Sequence, residues 1–288
     1  MMSRLRGILA VGLGAVGAGV FYYTNDDSKT LQAAQKFRDV PVSVQKIQSE
    51  PFPVTKWDSN WDRRDPSYLV KPSKGGDDDL RYQKEIEEKK PKATRNIILI
   101  RHGQYNLSGK SDVERYLTEK GVEQAKLTGD RLVALNHPYD RMVRSTMTRA
   151  QQTGDHILSR MNTDNLVIEN DSMLEEGAPF PPEPPRKTWE PADYIFYQDG
   201  SRIEAAFRNY FYRADHRQDK ETYDIIVCHA NVIRYFICRA LQLPPEAWLR
   251  INLHHASMSW VRIRPNGRVG LLTMGNCGHL PPELLTLE

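Results

Sequence analysis

The sequence is poor in the residues that mark extracellular and metal-binding proteins. Its 288 residues include three cysteines, Cys228, Cys238 and Cys277, and no Cys-x-x-Cys pair. Three thiols cannot build a disulfide framework; they fit a reducing compartment or buried positions. His254-His255 has no carboxylate or cysteine at ligand spacing, so neither a metal nor a cofactor is expected. An excess of charge of one sign is nearly absent as well. The 40 Lys+Arg and 37 Asp+Glu leave +3, and that excess lies outside residues 96–288, which hold 23 basic and 24 acidic side chains. A nucleic-acid-binding stripe, and hence a nucleic-acid partner, is not expected from such a balance. Lysine is also scarce there: five Lys stand against 18 Arg. Arginine offers a rigid fork that matches phosphate or carboxylate, where lysine offers only a point charge. A hydrophobic content of 39% excludes a polytopic membrane protein, and five Trp and thirteen Tyr argue against wholesale disorder.

What is present divides the chain into three parts. Gly7 to Tyr23 is an uncharged run of 17 residues between Arg4/Arg6 and Asp26/Asp27. About 17 residues is the lower limit for crossing a bilayer. Ala10, Gly14 and Ala18, four apart, suit close helix–helix packing in lipid. A cleaved signal peptide has a similar pattern. The absence of a disulfide framework favours a retained anchor, so residues 1–24 are read as an N-terminal membrane anchor.

Residues 25–93 read as a polar linker, proline-containing and without a sustained apolar period. One element stands out, Trp57-Asp58-Ser59-Asn60-Trp61-Asp62. Two Trp four apart can share a face of a turn or short helix, and solvated linkers rarely keep two exposed indoles. The element can dock on its own domain or on another subunit; spacing does not choose between them. Residues 77–90 hold ten charged side chains in fourteen and read as a solvated helical lead-in.

Residues 94–288 read as an α/β catalytic domain. Ile97-Ile98-Leu99-Ile100 has the continuous apolar character of a buried parallel strand. Thr118 is placed to cap a helix with Val122, Ala125, Gly129, Leu132 and Val133 on one face. Strands are predicted near 141–143, 166–169 and 223–228, and helices over 148–160, 202–213 and 232–241. A proline-rich loop fills 177–191, and Pro265-Asn266-Gly267 signals a hairpin between 257–264 and 268–273. Alternating strands and helices imply a three-layer α/β/α sandwich with a mostly parallel sheet, which binds ligands at strand C-termini.

That rule selects residues. Arg101-His102-Gly103 follows the first strand, Ser145 to Ala150 the second, Glu176-Gly177 the third, and His229 the last buried strand. Two His, two Arg and a carboxylate at strand ends suit a phosphoryl group. Arg101 and Arg149 can clamp its oxygens, and His229 can donate to them. His102 can attack as nucleophile if neutral, which neighbouring arginines favour. Glu176 can protonate the leaving oxygen and then activate water.

Arg101-His102-Gly103, Ser145-Thr148-Arg149-Ala150, Glu176-Gly177 and Cys228-His229-Ala230 resemble the histidine phosphatase (phosphoglycerate mutase-like) superfamily over residues 94–288. The N-terminal run, Trp57–Asp62, the stretch from Arg202 to Tyr210, and Asn231-Val232-Ile233-Arg234-Tyr235 resemble its mitochondrial serine/threonine protein phosphatases. The resemblance implies a nucleophilic His102, phosphate contacts from Arg101, Arg149 and His229, and acid/base work by Glu176. It implies a multimerisation role for Trp57, Asp58, Asn60, Trp61 and Asp62, giving an activated homo-oligomer. It implies single-pass anchoring in a mitochondrial membrane through residues 7–23, the outer membrane favoured. It also implies phosphoprotein substrates, among them the apoptosis signal-regulating kinase, and a role in mitochondrial stress and cell-death signalling. Two departures stand out. Ser108 occupies the place, six residues after the histidine, where many members carry a phosphate-contacting Asn. Lys74-Gly75-Gly76-Asp77-Asp78-Asp79 replaces an adaptor-docking Glu-Ser-Gly-Glu, so that partner is not expected. The alternatives are a small-molecule phosphatase or mutase, and a membrane scaffold with an inactive phosphatase fold.

Overall fold

Six strands form one twisted sheet in the computed structural model, which describes residues 56–287 and, before them, only Leu9–Gly12 and Gly19–Tyr22. The strands are β1 (Arg95–Arg101), β2 (Tyr139–Ser145), β3 (Val167–Asp171), β4 (Thr222–Cys228), β5 (Met258–Ile263) and β6 (Val269–Asn276). Their order is β3-β2-β4-β1-β5-β6. The first four are mutually parallel and the last two antiparallel. The α-helices longer than one turn are α1 (Asp77–Glu88), α2 (Glu119–Leu135), α3 (Thr148–Leu158), α4 (Asp193–Tyr210) and α5 (Ala230–Ala240).

The central strands are apolar on both faces because helices cover both. Ile98, Ile100, Met142, Ile225 and Val227 pack against Leu132 of α2 and Ala150 and Ile157 of α3. Ile97, Leu99, Val143 and Ile226 face Ile203 and Phe207 of α4 and Ile233 and Phe236 of α5. All seven residues of β1 are buried, as the central position of the strand requires. This is the expected three-layer α/β/α sandwich.

Three helix expectations change in detail. Thr118 caps α2 by accepting from the Gly121 N–H. The buried face of α2, however, is Gly121, Gln124, Ala125, Thr128, Gly129 and Leu132, while Val133 is half-exposed. Polar residues go inward because they bond loop backbone. Gln124 accepts from the Gln104 N–H and donates to the Leu284 carbonyl, and Thr128 donates to the Ala256 carbonyl. Helix α4 starts nine residues before the predicted 202, running through Asp199-Gly200-Ser201. Gly200 lies so close to the Pro179 carbonyl that a Cβ there would come within 2.6 Å of it. The third change is small: α5 begins at Ala230 rather than 232.

Trp57–Glu288 is one unit, so the second half of the linker packs as part of the domain. The predicted lead-in at 77–90 is helix α1. Trp61 donates from Nε1 to the Gly267 carbonyl at 2.8 Å and packs against the α4/α5 core beside Phe207. Asp62 accepts from the Arg213 N–H, Nε and Nη2 at 2.8–3.1 Å, with both side chains shielded from solvent. Asn60 is buried, and Asp58 and Gln242 exchange two backbone–side-chain bonds. Trp57 remains 41% exposed.

Most of the proposed anchor at 7–23 lies outside the described residues. Its described parts are two short strands paired antiparallel from Leu9↔Tyr22 to Gly12↔Gly19, not a helix. Five of its 17 residues are glycine, which disfavours helix. Among the described residues no helix is long and apolar enough to cross a membrane.

Candidate active site

Parallel pairing brings the ends of β1, β4 and β2 to one edge of the sheet. Arg101 stands beside Cys228 in register, and the His102 N–H donates to the Cys228 carbonyl at 2.9 Å. His102 and His229 therefore leave adjacent strand ends together, with ring centroids 5.1 Å apart. The chain then turns at Gly103 against the start of α2. A Cβ on Gly103 would lie 2.6 Å from the Gly121 carbonyl, and one on Gly121 would overlap the Gln104 carbonyl. Only glycines allow this approach of two backbones.

His102 is buried, and its tautomer follows from its partners. Nδ1 lies 2.8 Å from the Gly103 carbonyl, which can only accept, so Nδ1 carries the proton. Nε2 is left unprotonated, with a lone pair that accepts from Arg149 Nε at 3.2 Å and must be released from that bond to attack phosphorus. Burial, then the neighbouring His229, Arg149 and Arg101, hold His102 well below the ordinary imidazole value of 6.5. The ring is neutral across the physiological range, as a nucleophile must be.

Arg101 and Arg149 flank it from different elements. Arg101 ends β1 and donates through Nη1 to the Leu253 and Leu287 carbonyls. Its Nη2 lies 3.0 Å from His255 Nε2. Since a guanidinium only donates, His255 accepts there and carries its proton on Nδ1, 2.8 Å from Thr286 Oγ1. Burial and Arg101 push His255 down to about 3. Burial also lowers Arg101 to about 10, partly offset by Glu176. Arg149 lies in the first turn of α3 and over the Tyr105 ring at 4.8 Å. Arg101 Nε, Arg149 Nη1 and His229 Nδ1 are buried without hydrogen-bond partners. His229 Nε2 lies 2.8 Å from Ser145 Oγ, whose hydroxyl can donate there and leave the Nδ1–H unused. Unpartnered buried donors grouped around one histidine call for an anion.

Glu176 reaches the same site from the loop after β3. Burial raises its pKa above 4.5, against the opposing effects of Arg149, the Gly177 N–H and Arg101. Arg202 pins this loop, donating to the Met173, Glu175 and Glu176 carbonyls at 3.0, 2.7 and 3.2 Å. Asn231 donates to the Gly177 carbonyl at 3.0 Å.

The five predicted residues thus converge. His255, Tyr105, Arg202 and Asp112 join them and were not singled out by the sequence. Asp112 accepts from the Thr148 N–H and hydroxyl and lies 3.6 Å from Arg149 Nη1, fixing the start of α3. Ser108 stays out: it is exposed and bonds Asn106 within a turn. Among the described residues no group of three or more His, Cys, Asp or Glu side chains is arranged to hold a metal ion.

Comparison with known proteins gives a consistent picture. The histidine phosphatase superfamily (branch 1) matches residues 97–275. A Drosophila ananassae protein named serine/threonine-protein phosphatase Pgam5, mitochondrial, is 45% identical over 282 residues, covering 96% of this chain and 94% of that one. Its Drosophila melanogaster counterpart is 46% identical over 276 residues, covering 94% and 92%. Among solved structures, Bacillus stearothermophilus YhfR aligns with a TM-score of 0.50 at 18% identity, covering 64% of this chain and 98% of that one. The strand-end cluster, the sheet order and a match spanning more than half of the sequence lead to one conclusion: this chain belongs to the histidine phosphatase superfamily, branch 1.

Proposed function

We propose that this chain is a mitochondrial serine/threonine protein phosphatase that works through a phosphohistidine at His102. The observation that carries this reading is the fixed tautomer of His102, with its Nε2 lone pair presented among unpartnered arginine and histidine donors. In the first step Nε2 attacks phosphorus, the bond from phosphorus to the serine or threonine oxygen breaks, and Glu176 gives that oxygen its proton. In the second, Glu176 takes a proton from water as the water oxygen attacks phosphorus. The P–N bond breaks and its electron pair returns to Nε2. Arg101, Arg149 and His229 hold the phosphoryl oxygens throughout. The class of substrate rests on the relatives' names and on their identity over most of the chain.

A serine alkoxide needs the proton from Glu176; an aryl oxide scarcely does. Glu176→Gln should therefore reduce kcat/KM, which reports the first step, by about 10²-fold or more on a phosphoserine peptide, and far less on an aryl phosphate. The pH dependence follows. Neutral His102 persists below pH 6.5, so the acid limb of kcat/KM lies below that value. Turnover of the phosphopeptide falls on the alkaline side as Glu176 loses its proton, at a pH above the ordinary 4.5. Glu176→Gln removes that limb. Equal small losses on both substrates, or an unchanged pH profile, would rule out this role. Phosphoglycerate turnover exceeding phosphopeptide turnover would favour a mutase or small-molecule phosphatase instead.

Self-assembly through residues 57–62 is part of the proposal. Trp61 and Asp62 are engaged within the chain, while Trp57 stands partly exposed beside Arg264, Arg268 and Val269. Trp57 is therefore the tryptophan of the motif free to meet another subunit. Trp57→Ala should give smaller particles by sedimentation with little change in Tm, and lower activity. Unchanged particle size would refute the assembly role. Changing Trp61 at the same time would confuse assembly with folding. Attachment to a mitochondrial membrane through residues 7–23, action on an apoptosis signal-regulating kinase and a role in cell-death signalling complete the proposal; the uncharged run, the relatives' names and the family resemblance support it.

A further inference from the structure

The proposed reaction leaves one guanidinium without a task. Arg234 of α5 lines the same cleft, of about 780 Å³, as Arg101 and Glu176. Its one side-chain hydrogen bond runs from Nη1 to Asn231 Oδ1 at 3.0 Å, and its Nε is buried with no partner. The side chain as a whole is partly exposed, but a guanidinium with a buried, unpartnered N–H and no bonded carboxylate gains from an anion that completes it.

The cleft supplies more positive charge than that. Arg186, from the proline-rich loop, and Arg250, from the turn before β5, also line it. Each is oriented through its Nε, Arg186 by Thr188 Oγ1 at 3.2 Å and Arg250 by the Glu183 carbonyl at 2.8 Å. The carboxylates on the cleft are Glu176 and Glu183, against four arginines. Burial, with Arg186 adding to it and Glu176 opposing, lowers the proton affinity of Arg234, as expected for cations grouped without enough counter-charge. Pro184, Pro185 and Leu249 add an apolar wall, so the cleft suits an extended peptide with an acidic side chain better than a small free anion.

We propose that Arg234, assisted by Arg186 and Arg250, is a second anion subsite that selects phosphoprotein substrates carrying another anionic group close in sequence to the phosphoserine or phosphothreonine. The group is a carboxylate or a second phosphate; both meet a guanidinium fork in the same way. This inference rests on the protein phosphatase reading given above.

The test uses the full chain and three phosphoserine peptides that differ only in flanking residues: neutral, glutamate-bearing, and bearing a non-hydrolysable phosphonate. Wild type should turn over the glutamate or phosphonate peptide with kcat/KM about tenfold or more above the neutral one, mainly through KM, and the better of the two names the source of the anion. Arg234→Gln should bring the ratio of anionic to neutral peptide close to one. Because the ratio is taken within each enzyme, loss of folded protein cancels. If Arg234→Gln does not fold, Arg186→Gln, at an exposed position, should still lower the ratio. A wild-type ratio near one overturns the inference. So does an Arg234→Gln enzyme slowed equally on every peptide, which would place Arg234 on the transferred phosphate. If no phosphopeptide is hydrolysed while phosphoglycerates are, the underlying reading has failed, not the subsite alone.

Discussion

His102→Ala is expected to reduce phosphatase turnover by roughly 10⁴-fold or more on every substrate, aryl phosphates included. The covalent step needs a nitrogen lone pair, and His102 Nε2 is the one the site presents. His229 is no substitute, because its unpartnered nitrogen is Nδ1, which carries the proton and serves as a donor, while its Nε2 lies against Ser145 Oγ. The change removes one buried imidazole whose side chain bonds only the Gly103 carbonyl and Arg149, so the fold should survive. Near-native circular dichroism with lost turnover is the expected pair of results. Retention of a tenth or more of the activity would show that the reaction does not pass through His102.

The largest expected effect on stability lies outside the active site, at Asp62. This carboxylate accepts from Arg213 Nε, Nη2 and N–H, with side chains 0% and 1% exposed. Asp62→Ala would leave the buried guanidinium with Asp65 at 3.5 Å and the Ser59 carbonyl as its remaining partners. Breaking a buried pair from one side costs about 3–5 kcal/mol. In a chain of this size each kcal/mol lowers Tm by about 2–4 °C. Asp62→Ala combined with Arg213→Met should recover much of that loss, because no unpaired charge is then buried. An unchanged Tm in Asp62→Ala would show that the segment does not pack on the domain in solution.

Much of the site was legible in the sequence because the fold concentrates chemistry at strand ends. Ile97–Ile100 could only be a buried strand, and such a strand places the residue pair after it at the edge of the sheet. Arg101-His102, Arg149, Glu176 and His229 were found in that way. The residues that hold them in place were not legible, for a physical reason. Arg202 acts through three carbonyls of a loop some 26–29 positions earlier in sequence. His255 orients Arg101 only because β5 pairs antiparallel with β1. Its one sequence signal was a histidine pair just ahead of an apolar strand, which reads equally well as ordinary polar chain. The early start of α4 was not legible either; Gly200 lets the helix pass close to the Pro179 carbonyl, a contact made only in the fold. The docking of residues 57–65 on the domain was hidden for a related reason. Residues 57–65 have no apolar period, yet two specific groups, the Trp61 indole and the Asp62 carboxylate, dock them to positions more than 140 residues away.

The central claim is that phosphate passes through His102 on its way from a serine to water. Rapid acid-free quenching of the full chain with a ³²P-labelled phosphoserine peptide, followed by peptide mapping, tests it most directly. The account predicts an acid-labile, base-stable label on the peptide containing His102 in the wild-type chain, and no such label in His102→Ala. Release of phosphate at the normal rate with no label on His102 would contradict it.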